Sequence, residues 1–245
     1  LDNIIKLDIE SINVKRDGTY STPGPKDLID RLKDAYTFAK NSSSNIAPVI
    51  LPKLVDKLTN AFVELGDNAC NSYDMKYIIA CTNNSVEAVN MVNDFAKSNS
   101  STIIEDYRSS QDSEIGLTTK EATSLFTKAL QKPWTKMKNQ GLITLSKIVI
   151  SRVIANDEDF RYNFNDKLDN ITNDLQEMSK HLFQPLYKKF LAIFSRELIP
   201  HYIQSYFSKN YEKPKTQAEF ATNVTHECNA LSQLFTSLEP NLCKS

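Results

Sequence analysis

Apolar side chains recur every three or four positions along most of this chain, the spacing of one face of an α-helix. Thr22, as a capping residue, and Pro25, in the first turn, precede the first set. The apolar members of this set are Leu28, Ile29, Leu32, Ala35, Tyr36 and Ala39. A second set, from about Pro52, comprises Leu54, Val55, Leu58, Ala61, Phe62 and Leu65. Gly66 follows directly, so the pattern predicts two helices, the second ending at this glycine.

Residues 75 to 96 carry two apolar stripes on one predicted helix. At ~100° per residue, one band and a nearly opposite band enclose a polar strip that includes Lys76, Asn83 and Glu87. Such a helix contacts neighbours on both sides. We expect Asn83 at a solvated margin. Asn84 falls in an apolar band and needs a hydrogen-bond partner, because an unsatisfied buried amide costs roughly 1–3 kcal/mol.

The second half of the chain continues the helical pattern. Residues 119–139 and 142–156 are predicted as two helices separated by Gly141. A later helix carries a long, mainly aromatic stripe of Tyr187, Leu191, Phe194, Leu198, Tyr202 and Tyr206. Pro200 lies inside it and is expected to kink the helix or end its first half. The last helix has the apolar set Phe220, Val224, Cys228, Leu231, Leu234, Phe235 and Leu238.

Glycine is scarce, with 5 in 245 residues, which leaves little room for tight hairpins or phosphate-binding loops. No convincing strand pair is present. The pattern predicts an all-α protein, an elongated rod of stacked antiparallel helical bundles. We predict a first bundle at 1–106, a linker at 107–116 with the sequence YRSSQDSEIG, and a second bundle at 117–245.

No catalytic template fits the sequence. The glycines match neither a phosphate-binding loop nor a dinucleotide fingerprint nor a nucleophile elbow. His226-Glu227 resembles the start of a zinc-protease helix, but position 230 is Ala. The four cysteines show no metal-ligand spacing, which favours a reducing, intracellular setting. We therefore expect no enzyme activity, no catalytic residues, no cofactor and no metal site.

One candidate surface is the stretch QKPWTKMKNQGLITLSK. It places Lys132, Lys136, Lys138 and Lys147 around Trp134, a combination suited to anionic lipid head groups or an acidic partner helix. The alternative is that Trp134 packs in the core and the lysines form a solubilising face. The aromatic stripe of residues 187–207 has the same two interpretations, core or binding groove.

Three stretches resemble the exocyst component 3 family, in its C-terminal helical region. They are YDMKYIIACTNNSVEAV, PLYKKFLAIFSRELIPHYIQSYF and EFATNVTHECNALSQLF, with TYSTPGPKDLIDRL as a weaker fourth. Their order and spacing cover residues 19 to 238, and Pro200 departs from the continuous helix expected there. The chain begins without Met and stops earlier than related proteins, so we expect a fragment of a longer protein.

The resemblance implies a non-enzymatic subunit of the exocyst tethering complex. Such a subunit would hold secretory vesicles at the plasma membrane by binding other exocyst subunits, SNARE proteins and anionic plasma-membrane lipids. It implies no nucleic-acid partner, and a cytoplasmic protein that is peripheral at sites of exocytosis. The alternatives are another helical-rod tether or fusion-priming domain, or a peripheral binder of anionic membranes. For Asn84 the resemblance suggests a buried contact that sets register between bundle helices.

Overall fold

A computed structural model describes residues 11–42, 47–72, 74–98, 102–110, 118–153, 163–207 and 216–238. Within these residues it contains eight helices and one two-stranded hairpin. The helices are α1 (Gly24–Ser42), α2 (Ala47–Asn71), α3 (Met75–Ser98), α4 (Thr102–Ser110), α5 (Thr119–Val153), α6 (Phe164–His181), α7 (Gln184–Ser205) and α8 (Gln217–Leu238). The predicted all-α class is confirmed, with the hairpin as a small exception.

Contacts divide the chain into two compact units, residues 1–141 and 142–245. The boundary falls inside α5 rather than at the predicted linker 107–116. The first residues of that linker are helical, because α4 extends to Ser110 and the Tyr107 ring packs edge-on against Phe126, 5.3 Å between centroids. Residues 111–117 lie outside the described ranges. Two separate bundles joined by a linker therefore stay a prediction.

In the first unit, α1, α2, α3 and α4 pack around one apolar core with the first half of α5. The buried side chains include most of the predicted stripes of α1 and α2, together with Phe126 and Trp134 from α5. A smaller cluster of Ala69, Tyr77, Cys81 and Met137 adjoins Ile12. The two stripes of α3 explain this arrangement, since α3 contacts both α1 and α2.

The hairpin pairs β1 (Asn13–Val14) with β2 (Tyr20–Ser21) in antiparallel register. Its turn contains Asp17-Gly18, and Gly18 adopts a φ of 86° while its amide donates to the Lys15 carbonyl. The Asp17 carboxylate accepts from the amide and hydroxyl of Thr19. The expectation of no strand pair was wrong, because one Asp-Gly dipeptide is sufficient for a hairpin turn in a chain otherwise poor in glycine.

The adjacent asparagines of α3 hold the end of this hairpin. The Asn84 amide nitrogen donates to the Thr22 hydroxyl at 2.7 Å, and its oxygen accepts from the Thr22 amide at 3.3 Å. The predicted partner of Asn84 thus exists, but it is Thr22, in the link between β2 and α1, rather than a neighbouring bundle helix. Asn83 donates to the Tyr20 carbonyl at 2.9 Å and is buried, so its predicted solvated margin was wrong.

Two glycines predicted to end helices lie inside them. Helix α2 passes through Gly66 to Asn71, and α5 runs unbroken through Gly141. At Gly141 the two helices α3 and α5 approach so closely that a Cβ atom would lie 2.2 Å from the Thr82 hydroxyl oxygen. Gly141 is therefore required by close packing rather than by a helix end, which corrects the predicted division of residues 119–156.

Candidate functional site

Helix α7 is the central element of the second unit. It begins after Phe183, whose carbonyl accepts from the amides of Leu186 and Tyr187, and Pro185 occupies the first turn, where no backbone donor is needed. One face of the helix is buried: Leu186, Tyr187, Phe190, Leu191, Phe194, Leu198 and Tyr202. The Tyr187 hydroxyl donates to the Leu175 carbonyl of α6 at 3.1 Å, which fixes the two helices together.

Pro200 does not end α7, because the helix continues to Ser205. Pro200 lies at an exposed position of the helix, away from the packed core. Of the two predicted effects of Pro200, a kink or an end of the first half of the helix, the second was wrong. The unbroken helix carries one apolar ridge from Ile199 to Ile203, on both sides of the proline.

This ridge faces solvent. The exposed fractions are 53% for Ile199 and 52% for Ile203, and 82% for Phe207 just beyond the helix. Isolated exposed aliphatic residues are common, but here two of them lie one helical turn apart on a single face. The aromatic stripe is therefore mainly core, and the exposed apolar surface lies beside it.

Helix α8 contacts α7 through aromatic side chains. The rings of Phe194 and Phe235 lie 6.1 Å apart, and those of Tyr206 and Phe220 meet edge-on at 5.6 Å. The apolar residues of α8 recur at helical spacing, but the buried residues of this helix are Glu227 and Leu234. Much of its predicted apolar stripe is thus only partly covered.

A buried carboxylate connects the same two helices. Glu227 Oε2 accepts from the Tyr202 hydroxyl at 3.0 Å and from the Tyr206 hydroxyl at 2.8 Å. Burial raises the pKa of Tyr202 above its ordinary value, and its hydrogen bonds with Tyr206 and Glu227 raise it further. The phenol therefore stays protonated and remains a donor at all physiological pH values. This polar contact fixes the position of α8 on α7.

Between α7 and α8 is an open groove with a volume of about 470 Å³. Its walls are Ser195, Leu198, Ile199, Tyr202 and Ile203 from α7, and Cys228, Leu231, Ser232 and Phe235 from α8. None of these nine residues is charged. An apolar, uncharged groove between two helices is the kind of surface that receives a third, amphipathic helix. We refer to it below as the α7/α8 groove.

The described residues were also compared with the requirements of a metal site and of a membrane-spanning helix. Within them, no three His, Cys, Asp or Glu side chains come together in a way that would hold a metal ion. Among the same residues, none of the helices has the length and hydropathy needed to cross a bilayer.

The structure places the tryptophan of the predicted lysine patch in the core. Trp134 is 2% exposed and stacks at a tilt against Phe62, with 4.3 Å between ring centroids. It therefore packs in the core, the alternative stated above. Lys132 and Lys136 are exposed, Lys138 is partly exposed, and Lys136 pairs with Asp67 at 3.7 Å. Lys147 is exposed in the other compact unit.

Comparison with known proteins identifies a family. Residues 3–245 match a family model described as exocyst complex component Sec6. The fold is similar to a crystal structure of the C-terminal domain of the exocyst subunit Sec6p, with a TM-score of 0.74 and 11% sequence identity. The match covers 99% of this chain and 69% of the Sec6p chain. A search of curated protein sequences found no match.

Proposed function

Because the chain belongs to the Sec6 family of exocyst complex components, we propose that it holds secretory vesicles at the plasma membrane before fusion. The observation that carries this proposal is the family match over nearly the whole chain. Membership in this family makes the protein a component of a vesicle-tethering complex rather than an enzyme. The similarity to the Sec6p domain supports the all-helical fold on which the proposal depends.

The proposed partners are the other exocyst subunits and SNARE proteins. The resemblance noted in the sequence, to exocyst component 3, leads us to propose that this is the subunit concerned. The uncharged groove between α7 and α8 supports binding to helical proteins, since an amphipathic helix binds by placing its apolar face in a hydrophobic groove. The proposed location is cytoplasmic, peripheral at sites of exocytosis on the plasma membrane.

We also propose the exposed lysines of the first unit, Lys132, Lys136 and Lys138, as a surface for a partner or for anionic plasma-membrane lipids. Without Trp134 this surface has no aromatic anchor, so its attraction to lipid is electrostatic. Lys147, which is also exposed, stays a predicted member of this patch. This surface is secondary to the tethering role.

The tethering role is tested by depleting the protein from its own cells. We expect secretory vesicles to accumulate in the cytoplasm, with fewer vesicles attached to the plasma membrane in electron micrographs. Re-expression of the protein is the control and should restore attachment. Unchanged numbers of attached vesicles and unchanged secretion of cargo would contradict the proposal.

A further inference from the structure

The α7/α8 groove has the composition of a buried interface rather than of an ordinary helical surface. From Cys228 to Leu238, α8 contains no Asp, Glu, Lys or Arg, although many of these residues are exposed. Surface helices of soluble proteins usually carry charges on their solvent face. Depletion of charge is instead a feature of the centre of protein interfaces.

One edge of the groove is basic. Arg196 precedes Ile199 by three residues and Ile203 by seven, so it lies beside the apolar ridge on the surface of α7. Lys189 lies seven residues before Arg196 and extends the same edge, and both side chains are exposed. Glu197, the one acidic residue in the α7 sequence, is ~160° around the helix from Ile199. On the opposite wall, Cys228, Leu231, Ser232 and Phe235 carry no charge.

We propose that the α7/α8 groove binds an amphipathic helix of a partner protein, with aliphatic residues in the groove and acidic residues along the Lys189–Arg196 edge. The aliphatic stripe complements Ile199, Ile203 and Leu231, and the acidic edge complements the two basic side chains. This inference rests on the proposed function, because it names the class of partner that the tethering subunit would bind.

A helix fits better than a flat membrane surface or a second copy of the chain. The apolar surface is concave and lies between two helices, whereas a bilayer contacts convex surfaces and presents no ridge to fill a groove. In a symmetric dimer, a second copy would bring an identical basic edge and the uncharged segment Cys228–Leu238 to the groove, and neither supplies an acidic stripe to match Arg196.

The test uses the whole chain and a synthetic, fluorescein-labelled peptide of about 20 residues. The peptide has leucines at helical spacing with glutamates on both sides of the stripe, and a second peptide has lysine in place of each glutamate. Fluorescence anisotropy measures both affinities. We expect the glutamate peptide to bind roughly tenfold or more tightly than the lysine peptide, with a difference that shrinks at high salt.

Two variants locate the binding. Ile203→Glu is expected to weaken binding of the glutamate peptide by roughly tenfold or more, because it puts a carboxylate into the apolar centre. Arg196→Glu leaves the Lys189–Arg196 edge with no net charge and should remove the preference for the glutamate peptide. Phe38→Glu, which changes an apolar side chain 75% exposed elsewhere, is the matched control and should leave both affinities unchanged. Circular dichroism checks that each variant keeps its helices.

The inference is overturned if both peptides bind with equal affinity or if neither binds. It is also overturned if Ile203→Glu leaves binding of the glutamate peptide unchanged, or if this variant instead loses binding to liposomes or self-association of the chain. The proposed function is judged separately by vesicle attachment after depletion. A negative peptide-binding result therefore does not contradict the tethering role. Unchanged vesicle attachment after depletion does not contradict peptide binding in the α7/α8 groove.

Discussion

Trp134→Ala is expected to lower the free energy of unfolding by about 3–5 kcal/mol, as is typical for removal of a buried aromatic side chain. The indole is almost completely buried and contacts Phe62, so the substitution leaves a large cavity in the core of the first unit. Urea denaturation followed by circular dichroism measures the change. The prediction separates the two interpretations of the lysine-rich stretch, since a surface anchor would lose binding and keep its stability.

Two companion variants make this result specific. Within the described part of the chain, the Trp134 indole nitrogen has no hydrogen-bond partner. Trp134→Phe keeps an aromatic ring and removes only a buried donor that makes no hydrogen bond. It should therefore lower the free energy of unfolding much less than Trp134→Ala does. Lys132→Ala changes an exposed neighbour and should alter stability by about 0.5 kcal/mol or less. Equal stability of Trp134→Ala and the wild type would contradict the buried position.

Gly141→Ala is expected to destabilise the protein by about 1–3 kcal/mol, although alanine is the better helix former. The added methyl group would lie 2.2 Å from the Thr82 hydroxyl oxygen, which itself donates to the Ile78 carbonyl at 2.6 Å. Thr82 is fully buried in α3, so the two helices must separate or the threonine must change rotamer. Chemical denaturation of the single variant measures the cost.

A double-mutant cycle tests the cause. In a Thr82→Ala background, the nearest remaining atom of residue 82 is Cβ, at 3.3 Å from the added methyl. Gly141→Ala should then be close to neutral, with a coupling of about 1–3 kcal/mol between the two positions. Gly66→Ala is the matched control, because the three atoms nearest to its methyl group all belong to the flexible Met137 side chain, whose sulfur lies at 3.0 Å. Additive effects at residues 82 and 141 would contradict the close helix approach.

The helices were predictable because their stability comes from apolar stripes that the sequence displays directly. The stripes of α1 and α2 and the double stripe of α3 correspond to the observed core. Helix ends were harder to predict, since a glycine has the same local signature whether it caps a helix or permits close packing. Gly66 and Gly141 belong to the second kind, and only the positions of Met137 and Thr82 distinguish them.

The asparagine pair shows the same limit at a polar site. The period correctly placed Asn84 at a buried position that needs a partner, and the partner is Thr22. The same period wrongly placed Asn83 at a solvated margin of the helix. The spacing within one helix carries no information on the hairpin that covers this margin. A tertiary contact 63 residues away in sequence determined its burial.

The candidate groove was only partly visible in the sequence. The aromatic stripe of α7 was recognised with both interpretations, core and groove, because buried and interface stripes share the helical spacing. The exposed ridge of Ile199 and Ile203 was missed, although it follows the same four-residue spacing on the adjacent face. The absence of charge between Cys228 and Leu238 was the available signal for a covered surface.

The central claim is that this protein is a working component of the exocyst. It is tested most directly by affinity capture of the protein from its own cell extract, with mass spectrometry of everything retained. We expect a stoichiometric set of large helical exocyst subunits. Recovery of the protein alone, or with unrelated partners only, would contradict the claim.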